Sequence, residues 1–169
     1  MTKAKDDISP DVLREIFEYR DTHLYWRRRR QGTRDINKPA GCIENSGYRR
    51  IHLNKKMYKA HRLIWAHQHG YYPDGHIDHI DGNRSNNAID NLRLATHSEN
   101  LCNRGKTSNN SSGYKGVYKC RRSGKWIGKI MKDYKEHHLG RFDTAEKAHQ
   151  AYEDAASKLH GQFHHYPRS

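Results

Sequence analysis

Apolar residues in the N-terminal part of the chain recur at spacings that predict short helices and strands. Each helix is marked by a proline in its first turn or by a glycine after its last residue. Each strand is marked by alternation of apolar and polar residues. The predicted elements are a helix at 11–19, a strand at 24–26, a β-hairpin of 48–53 and 57–60, and a helix at 61–69. This mixture of short elements is typical of an α+β fold.

The next segment is predicted to run strand, loop, strand and helix. Ile77–Ile80 has the apolar flanks of a short strand, 81–87 has the Gly, Asn and Ser content of a loop, and 92–95 alternates like a second strand. Thr96–Glu99 has the T-x-x-E form of a capping box, which marks the start of a helix. Asn100 is therefore expected in the first turn of that helix.

The C-terminal part of the chain predicts a second small domain. Residues 104–112 are polar and rich in Asn and Ser, which favours a linker. Three strands with short turns are predicted at 114–119, 125–131 and 137–142. The capping sequence 143–146 then opens a helix whose alanine-rich face suits close packing on a sheet. The expected fold is a three-stranded antiparallel sheet packed on one helix.

Charge gives the first indication of a partner. The 169 residues include 32 Lys and Arg against 19 Asp and Glu, for a net charge of +13. Such an excess favours a polyanionic partner, nucleic acid before membrane. A surface charge that only confers solubility is the alternative, but the cations lie beside aromatic residues, as in Tyr25–Arg30 and Lys125-Trp126. Hydrophobic residues make up 33% of the chain, enough for one or two thin cores.

Other features disfavour membrane, secreted and zinc-ribbon proteins. No apolar run approaches the roughly 18 residues of a membrane span, and residues 1–7 lack the apolar stretch of a signal peptide. Cys42, Cys102 and Cys120 lie far apart and form no C-x-x-C pair. Scattered thiols suit a reducing cytoplasm, which is the expected location.

Acidic, imidazole and amide side chains are concentrated between His76 and Asn100. Such side chains resist burial unless they are paired, so the segment indicates a site rather than a core. Phosphodiester hydrolysis needs an attacking oxygen and a Lewis acid on the phosphate. Asp78 and Asn100 offer the oxygen ligands that Mg²⁺ prefers, and the imidazole of His79 is suited to act as the base. A hydrogen bond from Asn91 is a means of orienting that base.

These residues resemble the motif of the HNH (ββα-metal) nucleases, in the subgroup that includes phage and intron homing endonucleases. The matching pieces are Asp78-His79, Asp90–Arg93 with Asn91, Glu99-Asn100, Gly47-Tyr48 and Ala60–Arg62. The last residue of the motif is Asn rather than His, a variant found in the homing subgroup. The resemblance extends from about Leu13 to Asn103.

The resemblance implies a role for each matched residue. His79 corresponds to the general base, and Asn91 to the residue that steers it. Asp78 and Asn100 correspond to the ligands of one divalent metal, Mg²⁺ most readily and Mn²⁺ as a second choice. The resemblance also implies 5′-phosphate and 3′-hydroxyl products, a phage or mobile-element origin, and action in the cytoplasm of a bacterial host cell.

Residues Ser111 to Phe163 resemble the Apetala-two (plant ERF-type) DNA-binding domain. The matching pieces are Gly113–Val117, Lys125-Trp126, Ile130, Leu139–Phe142, Asp143–Glu146 and Ala148–Ala156. In that family the sheet lies in the major groove, which is about 12 Å wide. The DNA-contacting positions correspond to Lys115, Tyr118, Lys129 and His138, with Arg121 and Arg122 in a longer turn. Fewer bidentate readers of guanine are present than in the plant proteins, so their target sequence is not carried over.

Several residues have more than one interpretation. His61 either binds phosphate or packs between the hairpin and the helix, and packing is favoured. His76 and His97 are either metal ligands or solvated residues that face DNA, and the second is favoured. The run Arg27, Arg28, Arg29 and Arg30 either contacts DNA, which is favoured, or is a solvated charge run. Turn-forming roles are favoured for Asp81, Asp90, Asn83, Asn86 and Asn87.

Together the patterns predict a metal-dependent endonuclease that nicks double-stranded DNA. The expected organisation is an HNH nuclease domain at 1–103, a linker at 104–112 and an Apetala-two-like domain at 113–169. One site cuts one strand, so a monomer nicks, and a double-strand break needs a weak dimer on the DNA or a second cutting event. The alternatives are a non-catalytic DNA-binding regulator with a degenerate HNH module, a histidine-rich zinc module and a protein that acts on RNA.

Overall fold

The computed structural model describes residues 8–29, 35–106 and 109–164. The chain forms two compact units that divide between Leu94 and Ala95. Both units consist of short helices and small β-sheets, so the predicted α+β fold class is confirmed. Within the described ranges, no helix has both the length and the apolar character needed to cross a membrane.

The first unit begins with a helix and a hairpin. Its elements are α1 (Pro10–Ile16), β1 (Phe17–Arg20), β2 (His23–Trp26), β3 (Cys42–Ile43), β4 (Arg49–Leu53), β5 (Lys56–Lys59), α2 (Ala60–His69), β6 (His76–His79), a 3₁₀ turn (Ile89–Asn91) and β7 (Leu92–Ala95). Strand β1 pairs with β2, β4 lies between β3 and β5, and β6 pairs with β7. Leu13, Ile51, Leu63 and Ile64 are fully buried in the core that these elements share.

Helix α1 begins at Pro10, one residue before the predicted start, and ends at Ile16, before the predicted end at Tyr19. The backbone of Phe17 is extended (φ −121°, ψ 153°), and Phe17 pairs with Trp26 across the β1–β2 hairpin. Their ring centroids lie 4.4 Å apart, and Phe17 is fully buried. A cross-strand aromatic pair of this kind stabilises the hairpin and therefore overrides the helical spacing of the apolar residues.

The second unit contains a sheet covered by a helix. Its elements are α3 (His97–Cys102), β8 (Val117–Lys119), β9 (Trp126–Lys132), β10 (Lys135–Phe142), α4 (Ala145–Leu159) and a 3₁₀ turn (Gly161–Phe163). The antiparallel strand order is β10-β9-β8. Ala148, Tyr152 and Ala156 of α4 pack on Val117 and Ile130 of the sheet. The predicted three-stranded sheet with one helix is therefore confirmed.

Helix α3 packs with the second unit. Its buried Cys102 contacts Ala95 and Phe163, and the Ser98 hydroxyl donates a hydrogen bond to the Asp133 carboxylate at 3.0 Å. The compact units therefore divide before α3, whereas the predicted nuclease domain at 1–103 includes it.

A close backbone approach in the second unit yields a stability prediction. An ideal Cβ on Gly116 would lie 2.4 Å from both the Lys129 carbonyl oxygen and the Tyr152 ring, whereas at Gly124 nothing lies within 4 Å. Both glycines have φ near +70°, so alanine incurs the left-handed cost of about 1–2 kcal/mol at either position. We expect Gly116→Ala to lower the melting temperature far more than Gly124→Ala in thermal unfolding. Equal losses would contradict the packing of Tyr152 over Gly116.

Candidate active site

Asp78 and His79 lie at the end of β6, and both are buried. Asp78 is 3% exposed and His79 is 4% exposed. Neighbouring side chains on a strand point to opposite faces, and the two residues accordingly contact different partners. Because a buried carboxylate and a buried imidazole both need compensating interactions, those partners define the site.

The partner of Asp78 is Arg93, which lies on the paired strand β7. Arg93 Nε donates a hydrogen bond to Asp78 Oδ2 at 2.8 Å, and Nη2 lies 2.6 Å from the same oxygen. The Asp78 and Arg93 side chains are 4% and 15% exposed, so the ion pair is largely shielded from water. Removing one partner of such a pair costs about 3–5 kcal/mol, because the remaining charge is left buried.

The partner of His79 is Asn87. His79 Nε2 lies 3.1 Å from Asn87 Oδ1. Because an amide oxygen only accepts hydrogen bonds, Nε2 carries the ring proton in this arrangement and Nδ1 holds the lone pair. Burial lowers the pKa of His79, against the opposing effects of the Asn87 hydrogen bond and of Asp81 and Asp78. The ring is therefore neutral at neutral pH, as a general base must be.

Asn87 is a residue whose role the sequence does not reveal. Its pattern favours a turn former, but the side chain is 1% exposed and bonds His79. Tyr19 of β1 holds this part of the loop, because its hydroxyl donates to the Asn87 carbonyl oxygen at 3.3 Å and accepts from Ile89 N at 3.1 Å. The unpredicted strand β1 thus supports the site.

Asn91 bonds the loop that follows β6. Its Nδ2 donates to Asp81 Oδ1 and to the Asn86 carbonyl oxygen, both at 2.9 Å, and its Oδ1 accepts from Asp81 N at 3.0 Å. These contacts fix the loop that carries Asn87. The expected role of Asn91 in steering His79 stays a prediction.

Asp81 organises the same loop, as its expected turn-forming role implies. Its carboxylate accepts hydrogen bonds from Asn83 N at 2.8 Å and from Asn86 Nδ2 at 2.7 Å, besides the bond from Asn91. Burial opposes ionisation of Asp81, but these hydrogen bonds lower its pKa overall. The carboxylate is thus committed to loop structure rather than to a ligand.

The rings of His61 and Tyr48 lie beside the ring of His79. The His61 ring centroid lies 5.2 Å from that of His79, and the Tyr48 centroid lies 5.3 Å from His61 and 5.9 Å from His79. His61 is 4% exposed. Burial, followed by the nearby His79, Lys59 and Arg62, lowers its pKa well below the usual value. This environment agrees with the favoured packing role of His61.

Asn100 is the fourth residue of α3. The predicted capping box is confirmed, since the Thr96 hydroxyl accepts from Glu99 N and the Glu99 carboxylate accepts from Thr96 N. Asn100 N donates to the Thr96 carbonyl oxygen at 3.0 Å. Its role as a metal ligand stays a prediction from the sequence.

The described side chains near Asp78 offer few ligands for a divalent metal. Among the described residues, no group of three or more His, Cys, Asp and Glu side chains is placed to hold a metal ion. Asp78 supplies a hard carboxylate oxygen, and Mg²⁺ is commonly held by one or two carboxylates while it keeps several waters. Asp78 therefore suits one ligand position of such an ion, with Arg93 as the competing cation for its carboxylate.

Three of the predicted DNA contacts share the outer face of the sheet in the second unit. Lys129 Nζ lies 5.2 Å from the centre of the Tyr118 ring, and His138 pairs with Lys129 in the β9–β10 register. Lys129 also forms an ion pair with Glu136. Arg121 and Arg122 are exposed in the turn between β8 and β9.

The remaining predicted DNA contacts are placed differently. Lys115 is half-buried, and its ammonium donates to the Cys102 carbonyl oxygen at 2.6 Å. Burial lowers the pKa of Lys115 to about 8, and its ammonium is used in a contact inside the unit. Arg27 Nε donates to the carbonyl oxygens of Arg14 and Phe17, both at 2.9 Å. Arg28 and Arg29 are exposed, and Arg30 lies outside the described residues.

Comparison with known proteins gives two family matches and several relatives. The HNH endonuclease family model matches residues 58–102, and the AP2 domain model matches residues 112–162. Protein 3.8 of Escherichia phage T7 is 39% identical over 64% of this chain and 93% of its own length.

Two further relatives have informative names. An uncharacterized HNH endonuclease, L560, of Acanthamoeba polyphaga mimivirus is 34% identical over 76% of this chain and 66% of its own length. The DNA endonuclease I-HmuI of Bacillus phage SP01 is 41% identical over 36% of this chain and 38% of its own length. No solved structure matches the chain significantly.

The buried imidazole of His61 yields a prediction about pH. Its pKa is lowered in the folded state, so below about pH 6.5 the unfolded chain binds a proton that the folded chain excludes. The free energy of unfolding is expected to fall as the pH drops, by at most about 1.4 kcal/mol per pH unit for this residue. Chemical denaturation of His61→Leu between pH 7.5 and 5 should show a shallower dependence than the wild type.

The matched control for this experiment is His137→Gln, since His137 is exposed on β10. It should leave the pH dependence unchanged. A wild-type slope in His61→Leu would show that His61 is not held neutral by burial.

Proposed function

Because this chain belongs to the HNH endonuclease family and carries an AP2 domain, we propose that it is a metal-dependent DNA endonuclease that nicks duplex DNA. The observation that carries the proposal is the burial of the consecutive residues Asp78 and His79, with Arg93 bonded to the first and Asn87 to the second. An acidic oxygen ligand beside Arg93 and a neutral imidazole beside Asn87 thus occupy consecutive positions of the chain.

His79 acts as the general base. A neutral ring whose proton is held at Nε2 by Asn87 presents the Nδ1 lone pair to a water molecule. Nδ1 takes a proton from this water while the water oxygen attacks phosphorus, and the 3′-oxygen leaves. Products with a 5′-phosphate and a 3′-hydroxyl follow from this choice of leaving group.

Asp78 would hold the divalent metal together with Asn100, whose assignment rests on its position in the sequence motif. Mg²⁺ is the preferred ion and Mn²⁺ is an alternative, because both accept carboxylate and amide oxygens. When bound, the ion supplies positive charge that stabilises the phosphate in the transition state and the leaving oxygen. Arg93 neutralises the charge of the buried Asp78 carboxylate.

The AP2 domain docks the enzyme on double-stranded DNA. The proposed contacts are Tyr118, Lys129 and His138 on the sheet face and Arg121 and Arg122 in the adjacent turn. Lys115 is omitted, since its ammonium bonds the Cys102 carbonyl oxygen. Relatives from bacteriophages support action in the cytoplasm of a bacterial host cell.

The proposal predicts conversion of supercoiled plasmid to open circles. One site per chain cuts one strand, so we expect nicked circles before linear DNA, with Mg²⁺ and not with EDTA. His79→Ala should bind DNA normally but nick it about 10²–10⁴-fold more slowly, because it lacks the base. Gel assays of rate and of DNA retention measure both.

The matched control is His52→Ala, which changes an exposed histidine on β4 of the same unit and should nick normally. If the wild-type chain retards DNA but never cuts it with any divalent metal, the chain is a DNA-binding regulator instead. Linear DNA that appears together with open circles would show a double-strand cut and contradict the nicking mechanism.

A further inference from the structure

We propose that Lys59 and Arg84 form a binding site for a backbone phosphate of the strand that is cut, on the ring of Tyr48 beside His79. The inference rests on the proposed function, because it names a substrate contact of the same site. It concerns residues to which neither the motif nor the proposed chemistry gives a role.

Both cations converge on one aromatic ring. Lys59 Nζ lies 4.8 Å from the centre of the Tyr48 ring, and Arg84 Cζ lies 4.9 Å from it. The same ring lies 5.9 Å from the ring of His79. Both cations therefore contact a ring that itself lies beside the proposed base, and Arg84 is close enough to His79 to lower the pKa of its imidazole. Cation–π contacts favour this geometry and hold the two long side chains near one position.

Three separate segments of the first unit supply these residues. Lys59 ends β5, Tyr48 immediately precedes β4, and Arg84 lies in the loop after β6. Arg84 Nη1 donates to the Ser46 carbonyl oxygen at 2.9 Å. This bond uses one of the five guanidinium N–H donors and fixes the direction of the group.

The charges of this cluster are not balanced. Among the described residues, neither Lys59 nor Arg84 forms an ion pair with a carboxylate, and the nearby Glu44 pairs with Arg50 at 3.0 Å instead. Partial burial lowers the pKa of Lys59, and the positive charges of Arg50, Arg62 and Arg84 lower it further, opposed only by Glu44.

Such crowding of like charges is unfavourable, and a bound anion relieves it. Both side chains are exposed, so an anion reaches them from solvent. A phosphodiester suits the pair, because a guanidinium and an ammonium both bind phosphate oxygens with charge-assisted hydrogen bonds. The position beside His79 favours a phosphate of the cleaved strand over a free anion.

The test compares the full-length chain with the double variant Lys59→Gln/Arg84→Gln. Binding to duplex DNA is measured in EDTA at several salt concentrations, which requires no cleavage. Loss of one phosphate contact should reduce the slope of log K against log [salt] by about 0.9. With Mg²⁺, nicking at sub-saturating DNA should slow by at least about tenfold.

Two controls accompany the double variant. Lys55→Gln removes a cation from the exposed turn of the same hairpin and should keep the wild-type slope and rate. The charge-conserving variant Lys59→Arg/Arg84→Lys should retain the salt slope, which separates loss of charge from loss of folding. Thermal unfolding of each variant is recorded alongside.

A wild-type salt slope in the double variant would overturn the proposal, whether or not the chain cuts DNA. Absence of nicking by the wild-type chain would instead reject the proposed function, while the salt slope in EDTA still reports on the phosphate site. Inorganic phosphate provides the last arm. If inorganic phosphate stabilises the wild type against thermal unfolding but not the double variant, while the salt slope of DNA binding is the same in both, the site takes a free anion and the proposal is wrong.

Discussion

The burial of two consecutive ionisable side chains at the end of β6 is the constraint on which the rest of the first unit depends. A carboxylate and an imidazole that are almost fully shielded from water require partners, and β7 and the loop between the two strands supply them. Arg93 satisfies Asp78, and Asn87 satisfies His79. The hydrogen bonds around Asp81 and the hydroxyl of Tyr19 then hold that loop in place.

This arrangement gives two neighbouring residues different chemistry. Asp78 lies beside the cationic side chain of Arg93, whose place a divalent metal would take. Burial keeps His79 neutral, and the Asn87 contact fixes which ring nitrogen holds the lone pair. The rings of Tyr48 and His61 pack against the ring of His79. The proposed division between metal ligand and base is supported by the different partner of each side chain.

Signals that act over a few residues were sufficient to predict much of the fold. The capping box of α3, the glycine after α2 and the alanine face of α4 are all local patterns, and each is present in the structure. Long-range contacts were not predictable. Phe17 is in a strand rather than the predicted helix because it pairs with Trp26. Asn87 has the same sequence pattern as Asn86, and only the fold places its side chain against His79. Arg93 pairs with Asp78, which lies on another strand. Lys115 matches a DNA-contacting position but bonds Cys102 instead.

The central claim is that Asp78 binds the metal while His79 does not. Titration of the full-length chain with Mn²⁺ by isothermal calorimetry tests it most directly, using the wild type, Asp78→Asn and His79→Ala, with thermal unfolding to establish that each is folded. We predict that Asp78→Asn weakens binding at least about tenfold, because a charged ligand is lost, and that His79→Ala binds like the wild type. Wild-type affinity in Asp78→Asn, or an equal loss in His79→Ala, would contradict this division of roles.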